Sequence, residues 1–277
     1  MTTDHRAKPK KAGNRVLVGS LPGVGQKFQL HGAEAHHLAR VLRKQPGDAI
    51  EVIDGKGRGG LCKVIQVSRP ELGPEGAVEV ELELESLISA SEKPTSFRLV
   101  LYLGILKGEA MEWVVEKAVE LGVDALFPLM LDHSIVKVDG KGPEVFRLRW
   151  QRLADQALKQ CGRQRALEVG APTQLQKVKK SFSTKASYFF DEASDASTPH
   201  FFSEALSLSA LPEGAPTEIH LLIGPEGGWS ARERQELQSL TRRVHLGRER
   251  ILRAETAALQ AIAISTSIRD RGSESIS

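Results

Sequence analysis

Residues 78 to 85 alternate without exception, Val78, Val80, Leu82 and Leu84 against Glu79, Glu81, Glu83 and Glu85. A period of two predicts a half-buried strand whose outer face is acidic and solvated. Shorter runs upstream predict strands at Arg15–Val18, Ala49–Ile53 and Gly60–Val67, the last two joined by the Asp54–Gly60 turn with its four glycines. Between them Ala35, Leu38, Ala39 and Leu42 recur at helical spacing over Glu34–Leu42, and Pro46-Gly47-Asp48 breaks the pattern. Gly23-Val24-Gly25 begins like a dinucleotide fingerprint. It lacks the third glycine and opens no helix, so it is read as a turn.

Beyond the polar stretch Ser89–Ser96, with Pro94, the pattern changes to alternating strands and helices. Apolar strands are predicted at Phe97–Leu103, Ala125–Leu129, Ser187–Asp191 and Glu218–Ile223, and a short one at Val244–Leu246. Helices are predicted at Glu109–Leu121, ended by Gly122, at Pro143–Gln160, at Ser230–Leu240 and at Glu255–Arg269. Ser230 with Glu233 three residues on is a capping-box pair. Continuous apolar strands between helices imply an α/β fold on a mostly parallel sheet covered on both faces. The expected division is a tail over 1–13, a strand-rich domain over 14–90 and an α/β domain over 91–271.

Composition narrows the function classes. The chain has 277 residues, 40% of them hydrophobic, enough for a sizeable core. No run approaches the ~20 apolar residues that span a bilayer. Arg6, Lys8, Lys10 and Lys11 have no apolar run after them, so the tail is read as solvated and not as a secretory signal. Cys62 and Cys161 stand far apart with no Cys/His cluster near either, so no metal site is expected. Two lone thiols fit a reducing cytoplasm, where they are expected as buried hydrophobes. A P-loop and a G-x-S-x-G elbow are both absent from the sequence.

Net charge is only +3, so its distribution decides more than its sum. Lys137, Lys141, Arg147, Arg149, Arg152, Lys159, Arg163 and Arg165 face three acids, Asp139, Glu144 and Asp155. Gln160-Cys161-Gly162-Arg163-Gln164-Arg165 combines arginines with amides, a set suited to phosphates and base edges. Arg40, Arg43 and Lys44 form a second basic cluster. Aromatic residues are only 5%, too few for broad base-stacking platforms.

Two strand-to-helix loops carry the candidate site. Leu221–Ile223 runs into Gly224-Pro225-Glu226-Gly227-Gly228 and then a capped helix. Ligands of open α/β sheets bind outside the carboxyl ends of strands, and glycines there let a ligand approach the backbone. The second loop, Leu246-Gly247-Arg248-Glu249-Arg250-Ile251-Leu252-Arg253, leads into Glu255 and Thr256. Ile251 and Leu252 amid charges suggest a wall that faces something apolar.

Five landmarks now stand in one order. They are His36–Arg43 with Pro46-Gly47-Asp48; Lys107-Gly108-Glu109 through Val123; Gln160–Arg163; Gly224–Gly228; and Leu246-Gly247 through Ile251–Ala257. Over about Arg15 to Arg269 the chain resembles the 16S ribosomal RNA uridine N3-methyltransferases, a branch of the SPOUT (α/β-knot) methyltransferases. The resemblance implies a C-terminal trefoil-knotted domain, a small N-terminal PUA-like β-barrel, a homodimer, and S-adenosyl-L-methionine bound at the knot without metal. It implies cofactor contacts from Glu192, from Leu222 and Ile223, and from Gly224, Pro225, Glu226, Gly227 and Gly228. It extends them to Leu246, Gly247, Ile251, Leu252 and Thr256. The family often has arginine where His133 stands, which makes Lys137 the firmer RNA contact.

For methyl transfer to uracil N3, Arg253 is the candidate for carbonyl stabilisation and Glu255 for the base or the group orienting Arg253. A structural Arg253–Glu255 ion pair, with the proton lost to water, explains the same residues equally well. RNA is expected to meet Arg40 and Arg43 from the first domain and Lys107, Lys137, Arg163 and Arg165 from the second. Rival readings are a SPOUT methyltransferase acting on another ribosomal or transfer RNA nucleoside, and a non-catalytic RNA-binding factor of small-subunit assembly.

Overall fold

A computed structural model of the chain describes residues 15–68, 78–89, 95–138, 142–182, 186–193, 197–208, 218–247 and 249–274. The basic tail, most of the stretch around Pro94, and Arg248 lie outside the described residues. The chain divides into two compact units, 1–92 with 158–166, and 93–157 with 167–277. The first unit therefore takes in Leu158–Ala166, which the contiguous reading had given to the second.

In the first unit, β1 (Arg15–Leu17), β2 (Lys27–Leu30), β3 (Ala49–Ile53), β4 (Gly59–Ser68) and β5 (Glu79–Ile88) form one sheet in the order β1-β3-β4-β5-β2. Only β1 and β3 run parallel. The strict alternation of β5 buries Val80, Leu82 and Leu84 against Val16, Leu38, Ile50, Val52 and Val64. Strand β2 was not anticipated, because Phe28 and Leu30 offer too short a pattern; its pairing with Glu83–Val80 of β5 creates it. Helix α1 (Gly32–His36) continues as a wider π turn over His37–Val41 instead of one regular helix. Arg43 follows it at φ +51°. The glycine-rich turn after β3 is organised by buried Asp54, which accepts the main-chain N–H groups of Lys56 (2.8 Å) and Arg58 (3.0 Å) and the Arg58 Nε (2.9 Å).

The second unit is built on β6 (Arg98–Gly104), β7 (Ala125–Met130), β8 (Glu168–Val169), β9 (Thr173–Gln174), β10 (Ser187–Phe190), β11 (Glu218–Ile223) and β12 (Arg242–Val244). They align as β12-β10-β11-β6-β7-β8, with β9 also on β7, and every pairing is parallel. The helices are α2 (Glu109–Glu120), α3 (Pro143–Cys161), α4 (Leu175–Val178), α5 (Phe201–Leu208), α6 (Ala231–Gln238) and α7 (Ala254–Glu274). Residues 99–103 and 219–223 are buried throughout, the signature of strands covered on both faces. Register makes Leu103, Ile223, Phe190 and Val244 neighbours in turn, so four strands end level at their carboxyl ends.

Helix α2 ends as predicted at Gly122, whose φ of +87° suits a residue without Cβ. Helix α6 carries both hydrogen bonds of the capping box. Short β8, β9, α4 and α5 had no periodic signal long enough to be read. The apolar face of α7 packs into the core of its unit: Ala258, Ala261 and Ile262 are wholly buried. Arg269 of α7 is buried as well and donates to Asp124 Oδ2 (2.9 Å) and the Gly122 carbonyl (2.8 Å).

The thiols differ from expectation. Cys62 is buried in the first core, whereas Cys161 is exposed where α3 ends. Burial, and secondarily the charge of Glu85, pushes the Cys62 thiol up to about 12. A disulfide reagent at pH 8 is therefore expected to modify Cys161 alone in the native protein and both thiols in denaturant. Rapid modification of both in the native protein contradicts the burial of Cys62.

Candidate functional site

The level strand ends of the second unit open onto a cavity of about 650 Å³. Three segments wall it: Phe190–Glu192 at the end of β10, Ile223–Gly228 at the end of β11, and the segment joining β12 to the start of α7, from which His245–Gly247 and Arg250–Glu255 line the cavity. Ala110 from the start of α2 and Ala257 complete the lining. The size falls within the range of small-molecule sites.

The glycine turn closes by a hydrogen bond from Gly228 N to the Pro225 carbonyl (2.9 Å). Glu226 reaches across to accept the Lys107 N–H (2.8 Å). Gly227 and Gly228 are required by close packing: a Cβ on Gly227 would stand 2.9 Å from His133 Cβ, and one on Gly228 2.3 Å from Glu192 Oε1. Gly227 thus packs against protein as well as lining the cavity. His133 Nδ1 lies 2.9 Å from the Gly227 carbonyl, so this residue braces the turn.

Behind the turn, the Trp229 indole donates to the Phe190 carbonyl (2.8 Å) within the core. Asp191, its side chain fully buried, receives Arg234 Nε (3.0 Å) and Arg243 Nε (3.0 Å). Arg234 also reaches Glu192 (2.9 Å). This anchor was missed in the sequence; its only signal is an acidic pair directly after the apolar run Ser187–Phe190.

Most candidate cofactor residues come together here. Glu192, Ile223, the five residues Gly224–Gly228, Leu246, Gly247, Ile251 and Leu252 all line the cavity. Leu222 does not; strand alternation turns it into the core beside Phe189 and Trp229. Thr256 also falls outside the lining, exposed on the outer side of the first turn of α7. Phe190, Asp191, His245 and Arg250 are lining residues not singled out by sequence. Leu246 reaches the cavity because β12 is shifted to Arg242–Val244, two residues before the predicted strand. Arg253 and Glu255 both line the cavity, and among the described residues no ion pair joins them. The structural ion pair considered from sequence is thus not formed.

The basic residues divide differently. Arg40, Arg43, Arg163 and Arg165 all belong to the first unit, whereas Lys107 and Lys137 belong to the second. Gly162 has φ +91° and marks the end of α3. Arg165 forms a β-bridge with Lys56. Lys137 lines a separate polar cavity of about 630 Å³ with Gln174, Gln176 and Arg232. No helix among the described residues is long and apolar enough to cross a membrane.

Comparison with known proteins agrees with this geometry. Residues 92–266 match the RNA methyltransferase domain family, and residues 30–72 match the RNA methyltransferase PUA domain. The chain is 30% identical over 243 residues to the Ribosomal RNA small subunit methyltransferase E of Bacillus subtilis, covering 85% of this chain and 88% of that protein. Identity to the protein of the same name from Synechocystis is 30% over 250 residues, 90% of this chain and 76% of the relative. A crystal structure of a Ribosomal RNA small subunit methyltransferase E from Neisseria gonorrhoeae bound to S-adenosyl methionine superposes with a TM-score of 0.76. The two are 25% identical, over 92% of this chain and 97% of that one. The fold is thus of the SPOUT α/β class with an N-terminal PUA domain.

Below the turn, Asp132 accepts from Ser230 Oγ (2.7 Å) and Arg232 (2.7 Å). Donation by Ser230, and then by Arg232, holds its carboxyl below the usual carboxylate range. A lowered native value contributes stability that is present above the unfolded value and is lost as pH falls through the native one. Its side chain is 39% exposed, so the contribution is at most about 1 kcal/mol. Asp132→Asn is expected to lower the urea midpoint slightly at pH 7 and to converge with the wild type towards pH 3. A constant difference across that range contradicts the assignment.

Proposed function

Because the chain belongs to the RNA methyltransferase family, we propose that it transfers a methyl group from S-adenosylmethionine to N3 of a uridine in 16S ribosomal RNA of the small subunit. The observation that carries the reading is the cavity at the level strand ends, walled by the glycine turn and two further loops. Its residues fit the cofactor. Phe190, Ile223, Ile251 and Leu252 offer apolar surface for an adenine, and the carboxylates of Glu192, Glu226 and Glu255 suit a sulfonium and an ammonium. When bound, S-adenosylmethionine supplies a methyl carbon on a positive sulfur, which leaves as a neutral thioether.

The remaining work falls to the chain. Uracil N3 carries a proton and is a weak nucleophile until that proton is taken. Glu255, at the start of α7, is assigned to accept it or to orient Arg253. Arg253, exposed at the cavity wall, is assigned to the negative charge that spreads onto the flanking carbonyl oxygens. Neither is committed to the other in the free protein, so both are available to substrate. The walls limit water at the reacting atoms and hold them in line.

RNA recognition is assigned first to the first unit. Arg40 and Arg43 are exposed, and Arg43 sits in the left-handed region, a conformation that costs energy for a side-chain-bearing residue and is concentrated at functional positions. Arg163 and Arg165 belong to the same unit, and Lys107 and Lys137 are assigned the same task on the second. The homodimer is part of the same proposal.

Two experiments test it. A Cβ at Gly247 meets no atom within 4 Å, so Gly247→Val adds bulk at the cavity wall from an open position. It is expected to weaken S-adenosylmethionine binding at least tenfold by calorimetry with an unchanged melting temperature; undiminished binding contradicts the site. In a deletion strain, mass spectrometry is expected to show one unmethylated uridine in 16S ribosomal RNA, and loss of a transfer RNA methyl group instead redirects the reading.

Arg163→Ala separates recognition from capping of α3. RNA affinity is expected to fall, and the slope of log affinity against log salt to lessen by about 1, with cofactor affinity retained. Lower stability with intact RNA binding assigns Arg163 to the helix end.

A further inference from the structure

We propose that His200 is a positioning residue that holds the Leu246–Leu252 wall of the cavity in its binding shape, an inference that rests on the S-adenosylmethionine reading of that cavity. His200 lies immediately before α5 and far from the glycine turn in sequence. Its carbonyl accepts from the Ser203 (3.1 Å) and Glu204 (3.3 Å) N–H groups, and its ring Nδ1 accepts from Phe202 N (3.1 Å). His200 is thus the N-cap of α5, with its side chain satisfying a donor that the helix leaves open.

That bond fixes the tautomer. A main-chain N–H only donates, so Nδ1 carries no proton, and the single ring proton of a neutral imidazole sits on Nε2. Nε2 lies 3.1 Å from the Leu246 carbonyl, which only accepts. The ring therefore joins the cap of α5 to the first residue of the wall. The His245 ring packs edge-to-face with it, the centroids 5.0 Å apart. On either side, Phe201 N donates to the His245 carbonyl (2.9 Å) and His245 N to the Pro199 carbonyl (3.1 Å), so the approach of His200 is framed by backbone.

Beyond His245 this framing stops. The described residues of 246–253 form no strand or helix before α7 begins at Ala254. Among the described residues of 246–252, the bond from His200 is the single hydrogen bond made. Yet Leu246, Gly247, Ile251 and Leu252 all line the cavity, and Ile251 is 83% exposed. A segment with so few hydrogen bonds among its described residues adopts one shape only at an entropic cost. A side-chain tether at its first residue lowers the cost that a ligand must otherwise meet on binding.

The test uses the full-length protein, S-adenosylmethionine and the variants His200→Asn and His200→Gln. Asparagine is a favoured N-cap, so it retains the α5 cap, but it is too short to bridge to Leu246. The expected result is a melting temperature near wild type, a five- to tenfold weaker Kd by calorimetry, and faster hydrogen exchange at residues 246–252 without ligand. His200→Gln, whose amide extends one carbon further, is expected to recover part of both losses. Wild-type affinity and exchange in His200→Asn overturn the proposal, as does lower stability in either variant with exchange at 246–252 unchanged. A wild-type protein that binds no S-adenosylmethionine overturns the cofactor reading, and the proposal with it.

Discussion

Asp191 is the residue on which the cavity depends. Its carboxylate is fully buried at the carboxyl end of β10 and receives guanidinium groups from α6 and β12. Burying a charge costs several kcal/mol unless it is paired and hydrogen-bonded, and removing one partner of such a pair typically costs about 3–5 kcal/mol. Two arginines meet that demand, and they arrive from elements that flank two different walls of the cavity. One buried charge thereby fixes the end of β10, the start of the helix after the glycine turn, and the strand that leads into the third wall. The Trp229 indole bonded to the Phe190 carbonyl fixes the same junction from the core side.

The glycine turn is held by a second set of constraints that are more local. Glu233, also buried, accepts from Ser230 N (2.9 Å) through one oxygen and from Asp132 N (2.9 Å) through the other. The capping box therefore does more than start a helix, since it ties the segment after β7 to the segment after β11. His133 then braces Gly227 from that same segment. Against these firmly held walls, the described residues from Leu246 to Leu252 are held by one side-chain bond. A site of this kind has two rigid walls and one lightly tethered wall, which suits a pocket whose occupant must enter and leave.

The first unit solves a different problem. Its strands are short and its long turn is rich in glycine, so buried Asp54 supplies the order that the backbone alone lacks. Residues 158–166 return to this unit from the end of α3, and Gln164 is buried there, its carbonyl accepting from Gly57 N (3.1 Å). Four arginines proposed for RNA therefore belong to one compact unit.

The sequence determined what depends on neighbours along the chain. Alternation in Val78–Glu85 set the face of β5, apolar runs set β6 and β11, and Ser230 with Glu233 set the start of α6, because side-chain periodicity and caps act over a few residues. The glycine turn and the Leu246–Leu252 loop were legible as site segments for the same reason, since each follows a strand and precedes a helix. Tertiary structure decided the rest. Strand β2 exists only through its pairing with β5, and β12 stops at Val244 because its register against β10 ends there, which frees Leu246 for the cavity. Leu222 turns inward while Ile223 turns to the site, a choice between two adjacent apolar residues that only sheet packing makes. Asp191, Arg234 and Arg243 stand 43 and 52 positions apart, and His200 and Leu246 stand 46 apart. No local pattern encodes such pairs, because what joins them is the burial of a charge or the reach of a ring across strands that the fold alone brings together.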